Sequence, residues 1–289
     1  MPTLDELCAE YPAEWIVVQR ELASIFESGK PEDLKAYLDR SQARGTSLSQ
    51  LIRNRMAYLV LSNYSLAAAT GVTNWKVRFN LLNGYIVQKL LFICKLERKP
   101  VSLFWFRLIW PLIWQKRLLM PLVQPRGIYC FYSRPLIEAL AGIISSRPCL
   151  ELAAGDGTLT RFLRDMGVQV TATDNHSWKH AIQYPEWVIN QGTKEALSLY
   201  SPEVVICSWP PANNNFERQV FMTQSVQLYI IISSRHQFAS GNWDEYRQQS
   251  TFSFEEDKSL SRLVLPPELD AAVYIFRRKS SGNRTSVDC

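Results

Sequence analysis

Residues 149–174 constrain the fold of this 289-residue chain more tightly than any other stretch. An apolar run, Cys149 to Leu152, predicts a buried strand. It passes into a loop of small residues, Ala153 to Gly157, and then into an amphipathic helix from Thr158 to about Met166. A second strand, Val168 to Thr173, ends on a carboxylate, Asp174. Small residues let a ligand approach the backbone closely, and the helix N-terminus beyond them offers free N–H groups. An acid closing the next strand is placed to accept hydrogen bonds from a ribose diol. The ligand implied carries a nucleoside and lies across the carboxyl edge of a parallel sheet.

The dinucleotide fingerprint asks for three glycines spaced G-x-G-x-x-G. Gly155 and Gly157 supply two of them, and the third position is Thr160. Glu151 inside the first strand and Asp156 between the glycines would repel a pyrophosphate. Neither troubles a cofactor whose tail carries an ammonium and a sulfonium. The segment Glu151 to Leu159 resembles motif I of the class I S-adenosylmethionine-dependent methyltransferases, with Asp174 where that family's ribose-binding acid falls. The resemblance implies S-adenosyl-L-methionine as cofactor, held by Glu151, Ala153, Gly155, Asp156, Gly157 and Asp174. Asn175 would flank the adenine edge, and Thr193 would add a backbone or side-chain contact. The loop Gly192-Thr-Lys-Glu-Ala-Leu lacks the acid that the family often carries there.

Strand and helix patterns alternate beyond this unit. Trp187 to Gln191, Val204 to Ser208 and Gln227 to Ser233 read as strands. Thr193 to Tyr200, Glu217 to Ser225 and Asn242 to Gln249 read as helices, and Tyr132 to Ser146 as the helix leading in. Residues 260–278 read as two strands joined by a Pro-Pro turn. Alternation of this kind implies an α/β fold, a mostly parallel sheet with helices on both faces. The resemblance makes it the seven-stranded class I methyltransferase sheet, closed by a C-terminal antiparallel hairpin.

The fourth strand runs into Ser208-Trp209-Pro210-Pro211. Two prolines hold the chain rigid and non-helical beyond the strand. Ser208 would face the methyl donor, and the turn would suit an amino or amide nitrogen as acceptor. The tetrapeptide resembles motif IV of amino-group methyltransferases, with the aromatic second rather than last. That implies acceptor-side roles for Ser208, Trp209 and Pro210. The plainer reading is a strand-terminating turn with Trp209 in the core. His176 and His180 are four residues apart, but a metal site needs three or four ligands, and the chain has only three histidines. No metal is expected. His236, after the fifth strand, is a candidate base.

Charge divides the chain. Residues 1–39 hold nine acids against Arg20, Lys30 and Lys35, whereas residues 40–126 hold fourteen Lys/Arg against Glu97 alone. Helical periodicity runs through Glu14 to Phe26, Pro31 to Arg44, Ser47 to about Ala69 and Asn74 to Leu96. A helical N-terminal domain, 1–126, is therefore expected before a cofactor-binding domain, 127–279, and a tail, 280–289. Basic residues interleaved with Trp75, Trp105, Trp110 and Trp114 would suit nucleic acid or an anionic membrane surface. The plainer reading is an amphipathic bundle whose solvated face is basic and docks the acidic helix at residues 1–39. Charges and prolines interrupt the apolar run 101–123, so a spanning helix is not expected. Scattered cysteines and an acidic N-terminus point to the cytoplasm. Two functions stay open: a methyltransferase, or a non-catalytic protein on the same fold whose basic helical domain binds a partner.

Overall fold

The computed structural model describes residues 7–8, 10–28, 37, 47–70, 79–179, 181–236 and 239–279. The chain forms two compact units, Met1–Val77 and Arg78–Cys289. The first holds helices α1 (Pro12–Ser28) and α2 (Leu48–Thr70), close to the expected spans. Val18, Leu22, Ile52 and Met56, three or four residues apart along each helix, form their shared core. Ser49 Oγ donates to Glu14 Oε1 at 2.9 Å. The helix expected over 31–44 falls, apart from residue 37, outside the described residues.

The second unit opens with α3 (Leu81–Leu91), whose first turn is capped by the Asn80 side chain accepting from Asn83 N. This helix stops short of the expected Leu96 because Phe92 forms a β-bridge with Arg98. Residues 74–78 of that expected helix lie outside the described set. Short helices α4 (Leu103–Ile109) and α5 (Leu119–Val123) follow. Leu91, Phe106, Trp110, Ile113 and Val123 share one core with Phe131 and Leu265. Packing therefore places the division at Val77 rather than at residue 126, where the charge balance changes.

Next come β1 (Phe131–Tyr132), α6 (Arg134–Ile144), β2 (Cys149–Leu152), α7 (Thr158–Asp165), β3 (Val170–Asp174), β4 (Val188–Asn190) and α8 (Thr193–Tyr200). They are followed by β5 (Val204–Ser208), α9 (Glu217–Met222), β6 (Leu228–Ser234), α10 (Trp243–Gln248), β7 (Phe252–Glu256), α11 (Lys258–Ser261), β8 (Val264–Leu265) and β9 (Ala271–Arg278). Seven strands form one sheet in the order β4-β3-β2-β5-β6-β9-β7. It is parallel through β6, and β9 runs antiparallel to both of its neighbours. This is the class I methyltransferase fold, an α/β sheet with a helical region ahead of it.

Strand alternation sends Val204 and Ile206 to the α6/α7 side, against Leu140, Phe162 and Leu163. Val205 and Cys207 go to the other side, against Leu197, Val220 and Phe221. Both faces are covered, which is why these strands read as continuous apolar runs.

The closing antiparallel pair differs from expectation. It is β7 with β9, where Phe254 stacks on Phe276 at 4.7 Å, and not a hairpin within 260–278. Leu260 lies in α11, and β8 pairs with β1 in a separate two-stranded sheet. β8 ends at Leu265, before Pro266, which has no N–H to extend a ladder.

Candidate active site

The parallel strands deliver β2, β3 and β5 to one carboxyl edge. Ala153, one residue beyond β2, has φ +50°, and Trp209, one residue beyond β5, has φ +55°. His176, two residues beyond β3, has φ +52°. Left-handed backbone is costly for non-glycine residues and clusters at functional sites. Here three such residues cap three adjacent strands.

In the loop after β2, Gly155 and Gly157 have φ +57° and +66°. A Cβ on Gly157 would lie 2.7 Å from Val188 Cγ2 and 2.8 Å from Trp187 Nε1, so only glycine fits. Gly155 is more open, with Ile182 Cδ1 3.8 Å from where its Cβ would be. Gly155 N donates to Asp174 Oδ2 at 3.0 Å, and Asp174 Oδ1 accepts from His176 N at 2.8 Å. The Asp174 carboxylate thus ties the glycine loop to the loop after β3. The Tyr184 hydroxyl also interacts with this carboxylate, whose remaining lone pairs leave capacity for a further donor. Asn175 is exposed, its Oδ1 accepting from Ser177 N at 3.0 Å. Thr193 opens α8 at a half-buried position.

The other two acids of the motif are used inside the protein. Glu151 is 2 % exposed, and its Oε2 accepts from Thr160 N at 3.0 Å and Thr160 Oγ1 at 2.5 Å. It anchors the first turn of α7 rather than standing at the open edge of the loop. Burial lifts its pKa to about 7, against the opposing bonds from Thr160. Asp156 Oδ1 accepts from Arg98 Nη2 at 2.6 Å and from Thr158 N at 3.1 Å.

Arg98 is buried, and its Nη1 donates to the Cys130 carbonyl at 2.8 Å. Its carbonyl in turn accepts from Arg161 Nη2 at 2.7 Å. Burial opposes its charge, but Asp156 outweighs that and holds the pKa above the ordinary arginine value. In the sequence Arg98 is one of a run of basic residues and reads as part of a solvated face. Nothing local marks it as the partner of Asp156.

At the end of β5, Ser208 Oγ accepts from Tyr132 OH at 2.8 Å, and Cys130 Sγ lies 3.8 Å away. Burial raises the Cys130 and Tyr132 pKa values, so both stay protonated and neutral. Trp209 N donates to Ile232 O at 2.7 Å, while its indole packs against the sheet core and stacks on Tyr129 at 6.2 Å. That inward packing is the strand-terminating role. The Pro210 carbonyl accepts from Ser240 Oγ at 2.8 Å and Gly241 N at 3.0 Å.

Behind this turn Glu217 is fully buried. Tyr229 OH at 2.7 Å and Tyr246 OH at 2.5 Å donate to its Oε1. Asn214 Nδ2 at 2.7 Å and Asn242 N at 2.8 Å donate to its Oε2. The hub clamps the segment after β5 to the segment after β6. No sequence signal singles it out.

His236, the candidate base, is exposed and 3.8 Å from Asp270, beside the Arg235–Asp270 ion pair. His176 stacks on Tyr184 at 4.0 Å, and His180 is outside the described residues. Among the described residues no group of three or more His, Cys, Asp or Glu could hold a metal ion.

No protein-family model and no curated protein matches the chain. Solved structures do. Magnesium protoporphyrin IX methyltransferase from Synechocystis PCC 6803, with bound SAM, is 12 % identical over 50 % of this chain and 79 % of its own, with TM-score 0.33. The 23S rRNA methyltransferase ErmE is 18 % identical over 51 % of this chain and 69 % of its own, with TM-score 0.31. The T. thermophilus 16S rRNA N2 G1207 methyltransferase, in complex with AdoMet and guanosine, is 15 % identical over 50 % and 42 %, with TM-score 0.35. Likeness at this level is slight, and the fold assignment rests on the strand order itself.

Proposed function

We propose that the chain is an S-adenosylmethionine-dependent methyltransferase whose acceptor atom is a nitrogen. The observation that carries this reading is the convergence of the Ala153–Gly157 loop, Asp174 and Ser208 on one carboxyl edge. The donor set fits the cofactor. Asp174 has acceptor capacity left for a ribose diol, and Gly155 leaves the backbone open to close approach. Asp156 is neutralised by Arg98, and Glu151 supports α7 from within.

S-adenosylmethionine, when bound, would supply an electrophilic methyl group that a nucleophile takes directly, the C–S bond breaking and S-adenosylhomocysteine leaving as a neutral thioether. The chain's own residues bind and orient. Ser208 Oγ takes one hydrogen bond from Tyr132, and with its own proton turned to Cys130 Sγ it keeps a lone pair for an acceptor group. A nitrogen whose proton is held by that lone pair turns its own electron pair toward the donor. The turn is fixed by the Pro210 carbonyl bonds and the Glu217 hub, so catalysis is positioning.

One observation favours the second reading, a non-catalytic protein on this fold. Ile182 packs so closely on the loops that a Cβ at Gly127 would lie 2.5 Å from its Cγ1. Its Cδ1 would lie 3.8 Å from a Cβ on Gly155, so the segment after β3 stands beside the glycine loop. Titration calorimetry with S-adenosylmethionine separates the readings: the enzyme binds, and the non-catalytic protein gives no heat at near-millimolar cofactor.

A further inference from the structure

The larger unit also exposes apolar side chains on α3 and α4. On α4 and the turn after it, Phe106, Trp110 and Ile113 are buried, while Phe104, Trp105, Leu108, Leu112 and Trp114 face outward. Leu112 is 77 % and Trp114 79 % exposed. On α3, Asn83, Val87, Leu90 and Leu91 are buried, and Leu81, Leu82 and Tyr85 face outward, Leu81 at 95 %. Gln115 joins the two stripes, since its Oε1 accepts from Asn80 N at 2.8 Å and Asn83 Nδ2 at 3.3 Å. Eight large apolar side chains exposed on two short helices and the turn after α4, which Gln115 ties together, are more than the singly scattered apolar residues of an ordinary surface.

Charge selects the partner. Lys89, Arg107 and Arg117 are exposed beside the stripes. Glu97, the only acid in residues 40–126, is ion-paired to Arg161. A second copy would set like charges against one another. Nucleic acid would stack on the tryptophans but would leave Leu81, Leu82, Leu108 and Leu112 in water. A lipid surface accepts both kinds of side chain, with leucines among acyl chains, tryptophans at the headgroup level and basic residues on anionic headgroups. Among the described residues no helix is long and apolar enough to cross a membrane.

We propose that the face formed by Leu81, Leu82, Trp105, Leu108, Leu112 and Trp114, with Arg107 and Arg117 beside it, docks on an anionic lipid bilayer. The test is flotation of the full chain with vesicles of phosphatidylcholine alone or with about one-third phosphatidylglycerol. The wild type should float with the anionic vesicles, and added salt should weaken the binding. Trp105→Ser combined with Leu112→Ser should reduce binding by about tenfold or more, and Arg107→Glu with Arg117→Glu should remove the preference for anionic lipid. All four sites are exposed, so circular dichroism should be unchanged. Three results would each overturn the proposal. They are no flotation of the wild type, flotation indifferent to these substitutions, and wild-type self-association in sedimentation velocity that the apolar substitutions abolish.

Discussion

Arg98 and Asp156 meet at 2.6 Å although 58 positions separate them in the chain. The contact joins the helical segment ahead of the sheet to the loop that would face the cofactor. It also neutralises the one acid that lies between the two glycines.

Breaking that pair from either side should destabilise the protein. Arg98→Met leaves Asp156 without its counter-charge and the Cys130 carbonyl without its Arg98 donor, and Asp156→Asn leaves a buried guanidinium without its anion. Each should cost about 2–4 kcal/mol. The double variant should cost less than the sum of the two, with a coupling of about 1–3 kcal/mol in urea unfolding. Strict additivity would show that the two residues do not act as a pair.

Glu151 makes stability depend on pH. Its folded pKa of about 7 lies above the ordinary value of about 4.3. The folded state therefore binds the proton more tightly than the unfolded state does. The stabilisation is fully present below pH ~4.3 and is lost as pH rises through about 7. Glu151→Gln removes the titration while keeping an acceptor for Thr160. The variant's Tm relative to wild type should rise by about 5 °C between pH 5 and pH 8. A difference that does not change with pH would contradict the assignment.

Much of this architecture is legible in the chain. Cys149–Leu152, Thr193–Tyr200 and Val204–Ser208 fall where apolar runs and helical spacing put them, because buried parallel strands and amphipathic helices carry strong local patterns. Phe252–Glu256 is different. Its Ser253, Phe254 and Glu255 are exposed, as suits an edge strand, so the run Phe-Ser-Phe-Glu-Glu carries little apolar signal. The β1–β8 pairing joins two-residue strands more than 130 residues apart, which no local pattern encodes. At the site, Gly155, Gly157, Asp174 and Ser208 are visible as a motif. Arg98, Tyr132 and Glu217 are not, because each acts on a residue distant in sequence.

Ser208 and Tyr132 should act on the acceptor side alone. Ser208→Ala and Tyr132→Phe should leave S-adenosylmethionine binding within about twofold of wild type. Both should lower the yield of +14 Da products from a native extract by about tenfold or more. Equal losses of binding and product would refute the division of roles between β3 and β5.

Asp174 is the residue on which a cofactor site at this edge most directly depends. Calorimetric titration of S-adenosylmethionine should show a single site in the wild type, and Asp174→Ala should weaken it by about tenfold or more, the order expected for lost hydrogen bonds to a charged group. Asp174→Asn, which retains an acceptor for Gly155 N, should keep the loop folded and bind with intermediate affinity. No heat from the wild type at near-millimolar cofactor, or equal affinity in wild type and Asp174→Ala, would contradict a cofactor site at this edge.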